Sequence, residues 1–437
     1  MTQDIIVGRS ETETKKLGRE ATIFLGKQYV KMGQVTSLAN NIYMDVNSSH
    51  VVLVSGKRGS GKSFTLGVIA EEISNLPKEV KERLSVLIFD TMGIFWTMKY
   101  PNQKEEDLLK KWEIAPKELN VDIYTPKGYF NEYRQKGIPT DFSFSLKPSE
   151  LNAGDWCGVF AIDINSPIGV LIERAIEELK ETKKEYAIEN IISKIQSDKR
   201  SEQTVRDATE NRFRAVSTWG LFAQESLPIK QIIGKGKVSI IDISCYKEGA
   251  GSWNVKSLVI GLISKKLLEG RMTARKEEEL EDIQTRSKLF EEENKLEMPL
   301  VWVLIDEAHE FLPKNGSTPA TEALVQLLRE GRQPGISMVL ATQQPGEIHR
   351  DVITQSDIVI SHRLTAKPDI EALNSMMQSY LVTDLQKSLN NLPRLAGSAI
   401  LLDDNSERLY PFRVRPRFTW HGGEAPHAIL PKKEFSF

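Results

Sequence analysis

The stretch VSGKRGSGKSF, Val54 to Phe64, constrains this chain more tightly than any other. Its Gly-x-x-x-x-Gly-Lys-Ser core, Gly56 to Ser63, cradles phosphate only where a buried strand turns directly into a helix. Both flanks meet that demand. Val51 to Val54 is a short β-branched run, and SFTLGVIAEEISNL after the loop has helical apolar spacing. Glycines at 56, 59 and 61 let the backbone wrap a phosphate and present N–H groups at a helix N-terminus. Lys62 would reach the β- and γ-phosphates, and the Ser63 hydroxyl would ligate Mg²⁺. The candidate nucleotide-binding set is therefore Gly56, Gly59, Ser60, Gly61, Lys62, Ser63 and Phe64, with ATP and Mg²⁺ as expected cofactors. The competing reading, a chance glycine-rich turn, explains neither flank.

Hydrolysis needs a second half, an acidic residue at the tip of an apolar strand. VWVLIDEAHEF supplies it: Asp306 follows five apolar residues and would contact Mg²⁺ through water, and Glu307 would polarise the attacking water. The alternative is an exposed acidic turn. SMVLATQQP ends the next strand candidate with Thr342 and Gln343, where Gln343 could sense the γ-phosphate; strand-end capping is the plainer reading. LVQLLREGRQPGI places Arg329 and Arg332 at a helix end. They are either favourable charges at a helix C-terminus or fingers inserted into a neighbouring subunit's site. His309 completes the letters DEAH, but the other motifs of the helicases named for them are missing, and Glu307 already fills the base role. His309 reads as a supporting residue.

Further buried-strand candidates are Ser85 to Asp90, Val121 to Thr125, Val238 to Ser244, Leu300 to Glu307, Ser337 to Gln343, Asp357 to Arg363 and Ser398 to Leu402. Several are apolar at consecutive positions, as strands covered on both faces are, and they alternate with helical segments. The fold class expected is α/β with a mostly parallel wound sheet. The core is expected over 49–165 and 230–415. An inserted helical subdomain is expected at 166–229, a charged loop or helix at 271–298, a short N-terminal β remnant at 1–48 and a C-terminal tail at 416–437.

Hydrophobic content of 40% and charged content of 27% exclude wholesale disorder. No apolar run approaches the roughly 20 residues of a spanning helix, and no signal-peptide core opens the sequence, so the expected location is cytoplasmic with no membrane partner. Cys157 and Cys245 are far apart and support neither a zinc site nor a disulfide framework. A net charge of −2 gives no global footprint for nucleic acid, although a ring can confine its basic residues to a channel.

Together, GKRGSGKS, LIDEAHEFLP, the block LLREGRQPGISMVLATQQPGEIHRDVITQSDIVISHRL and the weaker FRVRPRFTWHGG resemble the HerA/FtsK superfamily of P-loop ATPases, on the HerA side. The resemblance implies a RecA-like core in a homohexameric ring. Such a ring binds ATP between subunits and moves double-stranded DNA through its channel beside a partner nuclease or other effector. By matching position it makes Lys62 and Ser63 the phosphate and Mg²⁺ residues, Asp306 and Glu307 the acidic pair, Gln343 the sensor, Arg332 the leading finger in trans and Arg329 the second. Family members also serve DNA-end processing and anti-phage defence. Two departures stand out: only a remnant occupies the place of the family's N-terminal barrel, and FDTMGIFW keeps Asp90 and Gly93 of a family motif but has Ile94 in place of its glutamate. The alternative function is an ATP-gated scaffold that activates an effector without moving DNA. A third is a secretion or conjugation motor.

Overall fold

The computed structural model describes residues 4–32, 35–246, 254–287, 298–375, 387–389 and 391–423. Thirteen strands form one sheet in the order β1-β3-β2-β13-β12-β11-β4-β10-β9-β5-β8-β6-β7. They are β1 (Ile5–Val7), β2 (Thr22–Met32), β3 (Val35–Asp45), β4 (Val51–Ser55), β5 (Leu84–Asp90), β6 (Asp122–Pro126), β7 (Phe142–Phe144), β8 (Val238–Asp242), β9 (Leu300–Ile305), β10 (Ile336–Thr342), β11 (Ile358–His362), β12 (Ser398–Asp403) and β13 (Arg408–Val414). From β11 to β7 every neighbouring pair is parallel. The β11–β12, β12–β13, β13–β2 and β2–β3 pairs are antiparallel. The sheet is thus mostly parallel and α/β, as its apolar strand runs imply.

Alternation along the central strands feeds two cores. Leu53, Leu87, Phe89, Val303 and Ile305 pack on one face. Val52, Val54, Val86, Ile88, Trp302 and Leu304 pack on the other. The helices Pro167–Thr182, Ile188–Ser197 and Gln203–Val216 close the first face, and their buried Ile172, Ile191 and Phe213 join the core that includes Trp156. Ser166 caps the first of them by accepting from Gly169 N–H, with Pro167 pre-set at the first helical position.

Three segments sit deeper than their composition suggests. The stretch Arg271 onward, expected to be a solvated loop or helix, begins inside the 33-residue helix Val255–Ser287. Its Arg271 is fully buried, with Nη1 donating to Glu278 and Nε to the Pro334 carbonyl. The N-terminal strands extend the main sheet through β2–β13, rather than standing apart. Residues after Val414 cross the helix Lys62–Ser74: buried Arg415 and Arg417 pair with buried Glu71, which also accepts from the N–H groups of Phe418 and Thr419. What reads as a tail from residue 416 starts as core, while 424–437 lie outside the described residues.

A buried charge network ties the N-terminal strands to β4. Arg9 Nε donates to Asp45, and the His50 ring bridges Asp45 (3.1 Å) and Asp357 (2.6 Å). Burial alone would lower the His50 pKa, but the two carboxylates outweigh it and raise it to about 9. A group whose folded pKa exceeds its ordinary 6.5 stabilises fully below that value and loses the contribution as pH climbs through about 9. Asp45 is shifted down, so its share is lost instead on acidification. The rise of His50 from 6.5 to about 9 is on the order of 3 kcal/mol. Denaturant unfolding should therefore show stability falling between pH 6.5 and 9.5, with a flatter profile in His50→Gln; parallel profiles would refute the assignment.

Candidate nucleotide site

The loop leaving β4 climbs over the tip of β11 and enters the helix Lys62–Ser74 through Gly61. Gly59 and Gly61 have φ of +72° and +113°, a region closed to most side chains, so the curve of the loop depends on glycine there. The Ser60 hydroxyl is buried against Gly56 with no hydrogen-bond partner among the described residues. Lys62 is almost fully buried, with Nζ 3.4 Å from the Lys57 carbonyl. Burial depresses its pKa, and the charges of Glu307 and Asp306 act against that.

Strand order brings the acidic pair to this loop. β10 lies between β4 and β9, in register with both, so the tips carrying Ser55, Thr342 and Ile305 end side by side. The Ser63 hydroxyl donates to Asp306 Oδ2, and Asp306 Oδ1 accepts the Glu307 N–H at 2.9 Å. A hydroxyl converging with a carboxylate is a donor set suited to Mg²⁺. Glu307 takes φ of +49°, unusual for a side-chain-bearing residue, and this turns its carboxylate back over the sheet edge. Gln343 Nε2 donates to Glu307 Oε1. The other oxygen, Oε2, is buried without a hydrogen bond, 3.6 Å from His309 Nδ1. His309 also meets the Thr342 hydroxyl at 3.2 Å, and burial lowers its pKa. Lys62, Ser63, Asp306, Glu307 and Gln343 are thus together, with His309 among them.

Arg329 and Arg332 are not. Both precede β10, whose opposite end carries Thr342 and Gln343. Seven residues of strand span about 23 Å, so neither arginine reaches the site of its own chain. Arg329 pairs with Asp351 at 2.7 Å, whereas Arg332 is exposed with no side-chain partner among the described residues. Asp90 holds a turn: its carboxylate accepts the N–H groups of Met92, Gly93, Ile94 and Phe95. Burial, then the charge of Asp242, raises its pKa to about 7. Phe64, the last of the predicted set, meets the ring of His421 edge-on at 5.4 Å. Sequence reasoning missed His421 and missed His362 beneath the loop; a histidine at the tip of a buried strand beside the phosphate loop was the available signal.

A family description, the central domain of the helicase HerA, matches residues 30–267, more than half of the chain. The chain belongs to the HerA helicase family. Its fold is that of a P-loop ATPase of that family, and the acidic pair at 306 and 307 lies beyond the matched span. A probable DNA double-strand break repair helicase HerA of Methanocaldococcus jannaschii is 23% identical over 415 residues, covering 87% of this chain and 75% of the relative. A probable helicase of the same organism is 23% identical, covering 86% of this chain and 65% of the relative. The DNA double-strand break repair helicase HerA of Saccharolobus solfataricus is 22% identical, covering 85% and 66%. The chain therefore spans about two thirds to three quarters of these relatives' length. Among solved structures, VirB4 of Thermoanaerobacter pseudethanolicus superposes with a TM-score of 0.54 at 11% identity, covering 90% of this chain and 96% of that one, a likeness of fold. No described helix is long and apolar enough to cross a membrane.

Proposed function

We propose that the chain is an ATP-hydrolysing, ring-forming double-stranded DNA translocase of HerA type. It would work beside a nuclease or other effector in DNA-end processing or antiviral defence. The observation that carries this reading is Arg332, exposed and on the sheet edge opposite Glu307. A ring that repeats one heterologous contact lays that edge against the next chain's phosphate loop. Hydrolysis would then couple neighbouring subunits, which a motor needs.

Within the site, Lys62 and the loop N–H groups would hold the β- and γ-phosphates. Ser63 and, through water, Asp306 would hold Mg²⁺, which when bound neutralises phosphate charge. Glu307 Oε2, without a hydrogen bond, is the base that draws a proton from water, while Gln343 fixes Oε1 and so aims it. Because Gln343 touches both Glu307 and the phosphate end of β10, loss of the γ-phosphate would be felt there first.

ATP turnover measured with and without duplex DNA, on a sample whose particle mass is determined with both present, tests the reading. A closed ring and a DNA-stimulated rate are expected. A monomer indifferent to DNA would end it. An effector still activated by a hydrolysis-dead ring would favour the ATP-gated scaffold.

A further inference from the structure

His362 ends β11, whose Ser361 is in register with Ser55 of β4, so its imidazole lies directly beneath the phosphate loop. It is fully buried. A Cβ on Gly56 would stand 2.7 Å from its Cβ, and one on Gly61 3.4 Å from its Cε1, so both ends of the loop rest on this one side chain. The ascending limb is tied to the same strand tip, with Lys57 N–H donating to the Arg363 carbonyl at 3.1 Å.

Two hydrogen bonds fix the ring. Nδ1 is 3.2 Å from the Ser398 carbonyl of β12, and Nε2 is 2.9 Å from the Thr65 hydroxyl in the first turn of the helix Lys62–Ser74. A carbonyl only accepts, so Nδ1 carries the proton and Nε2 its lone pair. The Thr65 hydroxyl then donates to Nε2. The hydroxyl has one proton and a second acceptor, the Gly61 carbonyl at 3.0 Å; that carbonyl keeps the Thr65 N–H, whereas a bare buried Nε2 has no other donor among the described residues, so the proton goes to Nε2. Burial, with the Lys62 charge adding to it, pushes the His362 pKa down to about 4, and the Ser398 carbonyl opposes it only in part. A neutral ring therefore sits under a loop that must keep its positive potential for phosphate. An aliphatic side chain would fill the volume but could not join Ser398 to Thr65.

We infer that His362 is a positioning residue for nucleotide: clamped between Ser398 and Thr65, it sets the curvature of Gly56–Gly61 and the entry of the helix that carries Lys62 and Ser63. The inference rests on the reading that this loop holds ATP, so Lys62→Ala accompanies the test. In the full-length chain, His362→Ala should raise the KM for ATP and the Kd of a fluorescent ATP analogue about tenfold, the effect of one buried hydrogen-bonded link, with kcat within about threefold. His362→Asn, which restores a donor toward Ser398, should recover part of the affinity. Thr65→Val, nearly isosteric, should weaken binding in the same direction and still report if His362→Ala fails to fold. The double variant should be no weaker than His362→Ala alone, since both remove the same link. Binding unchanged in Thr65→Val and His362→Asn, with only the melting temperature lowered, overturns the inference. If Lys62→Ala binds as well as the unaltered chain, the nucleotide reading falls and this inference with it. If Lys62→Ala abolishes binding while the Thr65 and His362 variants bind normally, this inference alone falls.

Discussion

Glu307→Gln lowers ATP turnover by about 10²- to 10⁴-fold, the range of a lost general base, and leaves nucleotide affinity within a few-fold of the unaltered chain. The amide keeps the shape of the carboxylate and retains an Oε1 able to accept from Gln343, so the φ of +49° at this position and the packing against His309 persist. What disappears is the basicity of Oε2, the oxygen with no hydrogen-bond partner. Lys62, Ser63 and Asp306 are untouched, so binding survives. Single-turnover kinetics beside analogue binding separate the two effects. A variant that still turns over ATP within tenfold would move the base role elsewhere, with His309 next in line because it faces both Glu307 and Thr342.

Arg332→Ala lowers turnover by about 10³-fold or more, as removal of an arginine finger does. Equal co-expression with Lys62→Ala, each chain carrying its own tag, then restores about a quarter of the rate. In a ring of heterologous contacts, one contact in four joins an intact Lys62 to an intact Arg332. The geometry allows no other rescue: within one chain the length of β10 separates Arg332 from the site. Inactivity at every mixing ratio would place the site within single chains. Arg329→Ala should have a smaller effect, because its guanidinium is already engaged by Asp351.

How far this could be read from sequence varies with the kind of information a residue carries. Walker-type spacing is local, so the loop and its helix were legible without the fold. Asp306, Glu307 and Gln343 were legible because each ends an apolar run, and in a parallel sheet such ends line up on one edge. The opposite placement of Arg332 was not, since only strand direction reveals it. β13 escaped notice because Pro411 sits inside it, and proline argues against a central strand. The structure accommodates it: β12 pairs with Arg408 to Arg413, but β2 pairs only from Phe412 to Val414, past the residue that lacks an N–H. Buried Arg271, Arg415 and Arg417 were likewise invisible, since a charge reads as solvated until its partner is known. His362 carried no motif at all.

The clasp on Glu71 sets an order of events during synthesis. The carboxylate is buried on the helix that carries Lys62 and Ser63, and its Arg417 partner is 346 residues downstream. At ribosomal speeds of about 5–20 residues per second, that gap is roughly 20 to 70 s of translation. Throughout it, the nascent phosphate-loop helix bears an unpaired acid that cannot be buried at low cost. The nucleotide site is therefore finished among the last parts of the chain, after β11 and β12 have emerged. The helix that carries Lys62 and Ser63 thus gains its last buried partners only when nearly all of the sheet has been made.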